Sequence, residues 1–182
     1  MCTEVNHFKI FMDKLYTVYS SSPKSRRALA ACAAEVGIEL HKIGRVLDTR
    51  WVASSYRAVK AVWDNYAALH AHFTKAMDDE SFDSKERAQF RGLSQVLGGR
   101  AFVANLSTMC DALDELSTLS ESLQCDNISL PRAQRLIQRK IEVFMNGTHS
   151  DAAYVKEASA AVASGTFQGV KITMETVKSQ RN

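Results

Sequence analysis

A single apolar stripe constrains this chain more than any other feature. Between Asp48 and Met77 the residues Val52, Tyr56, Val59, Trp63, Tyr66, Leu69, Phe73 and Met77 recur at steps of three or four. That spacing keeps one side of a 3.6-residue helix turned toward a core and is incompatible with a strand's two-residue alternation. Asp48 or Thr49 can cap the start, because either side-chain oxygen accepts from the free backbone N–H groups of a first turn. Asp78, Asp79 and Glu80 oppose the dipole at the far end, which places the stop near Met77. The stretch reads as one long helix, the spine of a helical domain.

The flanking segments read the same way. Val5, Phe8, Phe11, Met12, Leu15, Val18 and Tyr19 mark a helix over 4–20. Ser22 followed by Pro23 is a start signal, since proline's missing N–H costs nothing at the first helical position. Gly37 closes that second helix over 23–36 by supplying a left-handed residue. Ile38 to Leu47, with β-branched residues and Gly44, reads as an extended connector with no evident strand partner. Asp83 and Glu86 have the spacing of a capping box, and Gly98-Gly99 ends the helix they open. Phe102, Leu106, Met109, Leu113, Leu116 and Leu123 form a second long stripe, the natural antiparallel partner of the spine. Ala133, Leu136, Ile137, Ile141 and Phe144 mark a helix after Pro131 that ends at Asn146-Gly147. Residues 150–163 are alanine-rich and helical by propensity, with Tyr154, Val155 and Val162 to bury, and GVKITMETVKSQRN reads as frayed or strand-like. The expected architecture is all-α: an irregular bundle of about six helices in one domain over 1–182, with one extended connector at about 38–47.

Composition narrows the classes of function. A hydrophobic fraction of 46% and a charged fraction of 24% are ordinary for a globular chain of 182 residues. No apolar run is long enough to span a membrane, and MCTEVNHFKIF lacks the layout of a signal peptide, so an intracellular, reducing setting is expected. Cys2, Cys32, Cys110 and Cys125 then read as free thiols. Charge alternates along the chain. Residues 1–60 hold ten Lys/Arg against five Asp/Glu, residues 61–129 five against eleven, and residues 130–182 eight against four. Basic segments of this kind admit an anionic partner, although solvated helix faces of opposite sign give the same pattern.

Catalytic constellations are missing from the sequence. The acids Asp78, Asp79, Glu80 and Asp83 lack the spacing and the glycine of a calcium loop, and read as a solvated turn. His70 and His72 stand two apart, so a helix points them to different faces; each reads as a surface or boundary residue and not a metal ligand. Gly98-Gly99-Arg100 has no Lys-Ser/Thr after it and is not a phosphate loop. No catalytic residue, metal ligand or cofactor site is expected. What remains is a basic segment with Lys42, Arg45 and Arg50 leading into Trp51. Arginine grips phosphate bidentately and tryptophan can stack on an unpaired base, so these four are the candidate nucleic-acid-binding residues. A tryptophan in a first helical turn also commonly just packs beneath the connector before it.

The run RVLDTRWVASSYRAV resembles the Arg-Trp segment that begins a long helix in transposases of the hAT superfamily and their domesticated relatives. YSSSPKSRRALAACAAEVGIELHKIG is similar to the segment before that motif, and LDELSTLSESLQCDNISLPRAQ to the later helix, in the same order. The resemblance implies that the chain corresponds to the helical insertion that interrupts an RNase H-like catalytic domain. Two catalytic aspartates are then expected upstream of Met1 and a catalytic glutamate downstream of Asn182, with both ends truncated. The family's Cys-x-x-His motif, its BED-type zinc finger and its C-terminal dimerisation segment have no counterpart here. By the same resemblance Trp51 corresponds to the tryptophan associated with the DNA end and flipped base, and Arg50 is its neighbour. The implied chain is a catalytically inactive, nuclear fragment that contacts DNA weakly and in a salt-sensitive way. The alternative is a helical scaffold for a protein partner or self-association, with Trp63, Tyr66 and Phe73 as partly exposed anchors.

Overall fold

The local signals at Ser22-Pro23, Gly37 and Asp83–Glu86 take the form expected of them. In this computed structural model, which describes residues 3–46, 51–146 and 152–173, helix α1 covers Thr3–Ser21 and α2 covers Pro23–Val36. The Ser22 hydroxyl accepts from the backbone N–H of Ser25, and Gly37 takes φ 73° to end α2. Helix α5, Ser84–Leu97, opens on the complete Asp83–Glu86 capping box, with each side chain accepting from the other residue's backbone N–H. Helices α6 (Arg100–Leu123), α7 (Leu130–Asn146) and α8 (Ala153–Ser164) follow. The fold is all-α, with eight helices and one small hairpin among the described residues.

The spine is where the structure departs from expectation. It is two helices, α3 (Trp51–Asp64) and α4 (Tyr66–Ala76), which meet at Asn65. The hydrogen-bond ladder persists through this point, Asn65 N–H reaching Ala61 O at 3.0 Å and Leu69 N–H reaching Asn65 O at 2.9 Å. The backbone of Asn65 nevertheless flattens to φ −92°, ψ 6°. Its fully buried carboxamide accepts from His41 N–H at 2.9 Å and donates to His41 O at 2.6 Å. One side chain thus serves as the strand partner that the extended connector, residues 38–46, lacks. The expected caps at Asp48 and Thr49 lie outside the described residues.

Helices α3 and α6 pair antiparallel at the centre, as the two stripes require: Tyr56 lies beside Asp114, and Tyr66 donates to Leu97 O at 2.8 Å. Helix α4 is held between α2 and α5, α1 crosses α2 and α6, and α8 lies on α6. Phe11 of α1 meets Phe102 of α6 with ring centroids 4.5 Å apart. The residue before α8, Ala152, has no side-chain oxygen to cap it. The buried carboxylate of Asp111, on α6, does so instead, accepting from Val155 N–H at 2.9 Å and Tyr154 N–H at 3.4 Å.

Through residue 173 the chain is anchored, which decides between the two readings of this segment, frayed or strand-like, in favour of the strand. Thr166–Phe167 and Val170–Lys171 form an antiparallel hairpin, β1 and β2. Its turn residues Gln168 and Gly169 have φ 46° and 79°, the pair of positive values that suits the twist of a two-residue turn. Phe167 is driven edge-on against Trp63 and Tyr66, with both centroid distances 4.7 Å, and Gln168 donates to Trp63 O at 3.0 Å. Beyond it Thr173 N–H binds Gly98 O at 2.8 Å and Thr173 O accepts from Arg100 N–H at 3.2 Å. That exchange satisfies groups that the α5–α6 corner would otherwise leave open.

Candidate functional site

Of the four residues singled out from the sequence, Lys42 and Arg45 are both exposed on the connector. Arg50 lies outside the described residues, and Trp51 is described only as the backbone that opens α3. The structure brings Lys42 together with residues the sequence did not suggest. A groove of about 440 Å³ runs between α1, α2 and the connector, lined by Tyr16, Tyr19, Ser20, Arg26, Leu29, Leu40, His41, Lys42 and Ile43. Arg26 and Lys42 are exposed, make no ion pair among the described residues, and no carboxylate lines the groove.

The geometry follows from two local causes. Arg26 stands in the first turns of α2, whose start is fixed by Ser22 and Pro23. Lys42 sits next to His41, whose peptide is clamped by Asn65, while buried Ile43 pins the connector from the other side. A guanidinium and an ammonium are therefore held over one trough with the half-buried ring of Tyr16 in its wall. Arginine offers a fork to a phosphate, lysine a point charge, and a tyrosine ring a stacking face. Arg26 was legible only as part of the basic run KSRR; nothing in its spacing ties it to a residue sixteen positions on.

A second, more open depression of about 600 Å³ lies across the connector and the α3–α4 junction, and Glu39, His41, Lys60, Trp63, Asp64 and Gln168 are among its lining residues. Lys60 and Asp64 neutralise one another at 2.7 Å, with His41 Nε2 4.0 Å from the same carboxylate. The Asp64 hydrogen bond holds the Lys60 ammonium above its ordinary pKa. Its charge is spent internally, so this depression is a poorer anion site than the groove.

Among the described residues no group of three or more His, Cys, Asp or Glu stands close enough to hold a metal ion. In the acidic turn Asp79 accepts from Ser81 N–H at 2.8 Å and from the Ser81 hydroxyl, hydrogen bonds that hold its carboxyl below the usual range. His72 is not the surface or boundary residue expected: it is 1% exposed, between Tyr19 and Phe90. Its Nδ1 shares a 2.7 Å hydrogen bond with the Tyr19 hydroxyl, while Nε2 has no partner. Burial pushes its pKa down to about 4 and raises that of Tyr19 well above the ordinary tyrosine value. The thiols Cys32, Cys110 and Cys125 are free, and burial raises the first two.

Trp63, Tyr66 and Phe73, the anchors a scaffold role would expose, are instead core residues at 5%, 0% and 0% exposure. No helix among the described residues is long and apolar enough to cross a membrane. No family model, no curated protein and no solved structure matches this chain.

Proposed function

We propose that this chain acts by binding and not by catalysis, and that it contacts nucleic acid through the groove between α1, α2 and the connector. One observation carries the reading: Arg26 and Lys42 stand exposed over a trough that contains an aromatic ring and no acid. The resemblance of three sequence stretches to the hAT insertion supports DNA as the polymer, and a nuclear, transposon-derived module as its setting. On this reading Arg45, Arg50 and Trp51 extend the contact along the segment leading into α3.

A groove with two or three phosphate contacts binds weakly and with strong salt dependence. For Z contacts the slope of log K against log salt is about −0.7Z on single strands and −0.9Z on duplex. Fluorescence anisotropy with labelled single-stranded and duplex oligonucleotides, titrated at low and raised salt, should give a slope near −2. Arg26→Ala with Lys42→Ala should weaken binding about tenfold, the worth of roughly 1.4 kcal/mol in lost phosphate contacts. Absence of binding at low salt, or binding indifferent to the double substitution, would overturn the reading.

A further inference from the structure

The floor and the margin of the groove differ in chemistry. Tyr19, Leu29 and Ile43 are buried beneath it, and Tyr16 stands half-buried in its wall. Two of the three lining hydroxyls are engaged within the fold: Tyr19 shares its own with His72 Nδ1 at 2.7 Å, and Ser20 donates to Thr17 O at 3.3 Å. The His41 peptide is likewise taken by Asn65. From within, the trough therefore offers mainly ring and aliphatic surface, whereas Arg26 and Lys42 supply charge from exposed positions.

We propose, resting on the nucleic-acid reading above, that the groove takes single-stranded nucleic acid. One unpaired base lies against Tyr16, and the adjoining phosphates meet Arg26 and Lys42. Solvation decides against a phosphate on the floor. An anion pressed onto Leu29 and Ile43 would lose its water and gain no donor there, which is costly for a charged group. A base has a flat face that stacks on a ring and covers aliphatic surface, whichever base it is. A nucleotide combines the two requirements, with a flat body for the trough and an anion for the exposed cations.

Shape decides against a duplex. The volume of about 440 Å³ falls within the roughly 300–1,000 Å³ of pockets that enclose one small ligand. Double-stranded DNA keeps its bases stacked inside, and proteins reach their edges by pushing a helix or a ribbon into a groove about 12 Å wide. Here the protein surface is itself concave. A duplex would rest its backbone across Arg26 and Lys42 and leave the trough unfilled, whereas an unpaired base projects from its strand and fills it.

Fluorescence anisotropy of the full chain at low salt tests this with three labelled oligonucleotides of equal length. They are a single strand, its duplex, and a single strand of abasic sites with the phosphates intact. The ordinary single strand should bind about fivefold or more tighter than either of the others, the low end of what one stacked base contributes. Tyr16→Leu, which keeps an apolar side chain in the wall, should remove that advantage, and Tyr16→Phe should retain it; a thermal melt checks that both variants fold. Equal binding of all three oligonucleotides, still dependent on Arg26 and Lys42, would overturn the single-strand assignment and leave the groove reading standing. Absence of binding to all three would overturn both. A preference for the duplex, or a single-strand preference untouched by Tyr16→Leu, would also overturn the assignment. So would displacement by polyglutamate as readily as by the unlabelled single strand.

Discussion

The body of this molecule and its helix α7 are built on similar helical patterns and stabilised in opposite ways. Around Trp63, Tyr66 and Phe167 the aromatic rings meet edge to face and are almost wholly buried, drawn from positions a hundred residues apart. On α7 the aliphatic side chains Ile137 and Ile141 are 41% and 48% exposed, and the helix depends on its own hydrogen bonds and one neighbour. The contrast shows that amphipathic patterning specifies a face to be covered without specifying what covers it. In α3 the rest of the chain supplies the cover; in α7 it covers one edge of the apolar face and leaves the rest open.

The sharpest way to break that contrast is to truncate one residue in each region. Phe167→Ala leaves a cavity that the rigid rings of Trp63 and Tyr66 cannot fill, and should cost about 3–5 kcal/mol in chemical denaturation. A loss below about 1 kcal/mol would mean that the hairpin does not close the core.

Acid should separate the two regions next. His72 titrates at about 4 in the folded chain, below the 6.5 of an exposed imidazole. The unfolded chain therefore binds more protons between these values. The stabilisation from neutral His72 is complete above pH 6.5 and is lost as pH falls toward 4, by about 3 kcal/mol at 1.36 kcal/mol per unit. Denaturation midpoints measured from pH 7 to pH 4 should fall, and His72→Leu should flatten that dependence. An unchanged slope in the variant would remove His72 as its source.

The smallest effect belongs to α7. Ile137→Ala should shift stability by no more than about 0.5 kcal/mol, as for a surface substitution. A larger loss would show that this face is covered within the chain.

What was legible in the sequence divides along a related line. Ser22-Pro23, Gly37 and the Asp83–Glu86 pair act on backbone groups within three or four residues, so their neighbours suffice to read them. The buried faces of α1 and α6 were readable because periodicity is local too. Asn65 was not, because its meaning depends on His41, and an asparagine within a regular stripe gives no sign of a partner 24 positions back. His72 looked like a boundary residue until Tyr19 and Phe90 closed over it. Phe167 belongs to no periodic run and was not singled out, because its importance comes from a short hairpin that inserts one ring between Trp63 and Tyr66. At the candidate site Lys42 was legible as charge, whereas its pairing with Arg26 across one groove is a product of the tertiary fold.

The hairpin and Thr173 also impose an order on synthesis. Phe167 packs against Trp63 and Tyr66 and Thr173 fastens the α5–α6 corner, yet the first is translated roughly 100 residues after its partners and the second roughly 75 residues after its own. At about 5–20 residues per second, a ribosome holds the earlier helices for several seconds before their last ring arrives. Through that interval Trp63 and Tyr66 have an open flank, and the nascent body carries a sticky aromatic cleft that its mature form conceals.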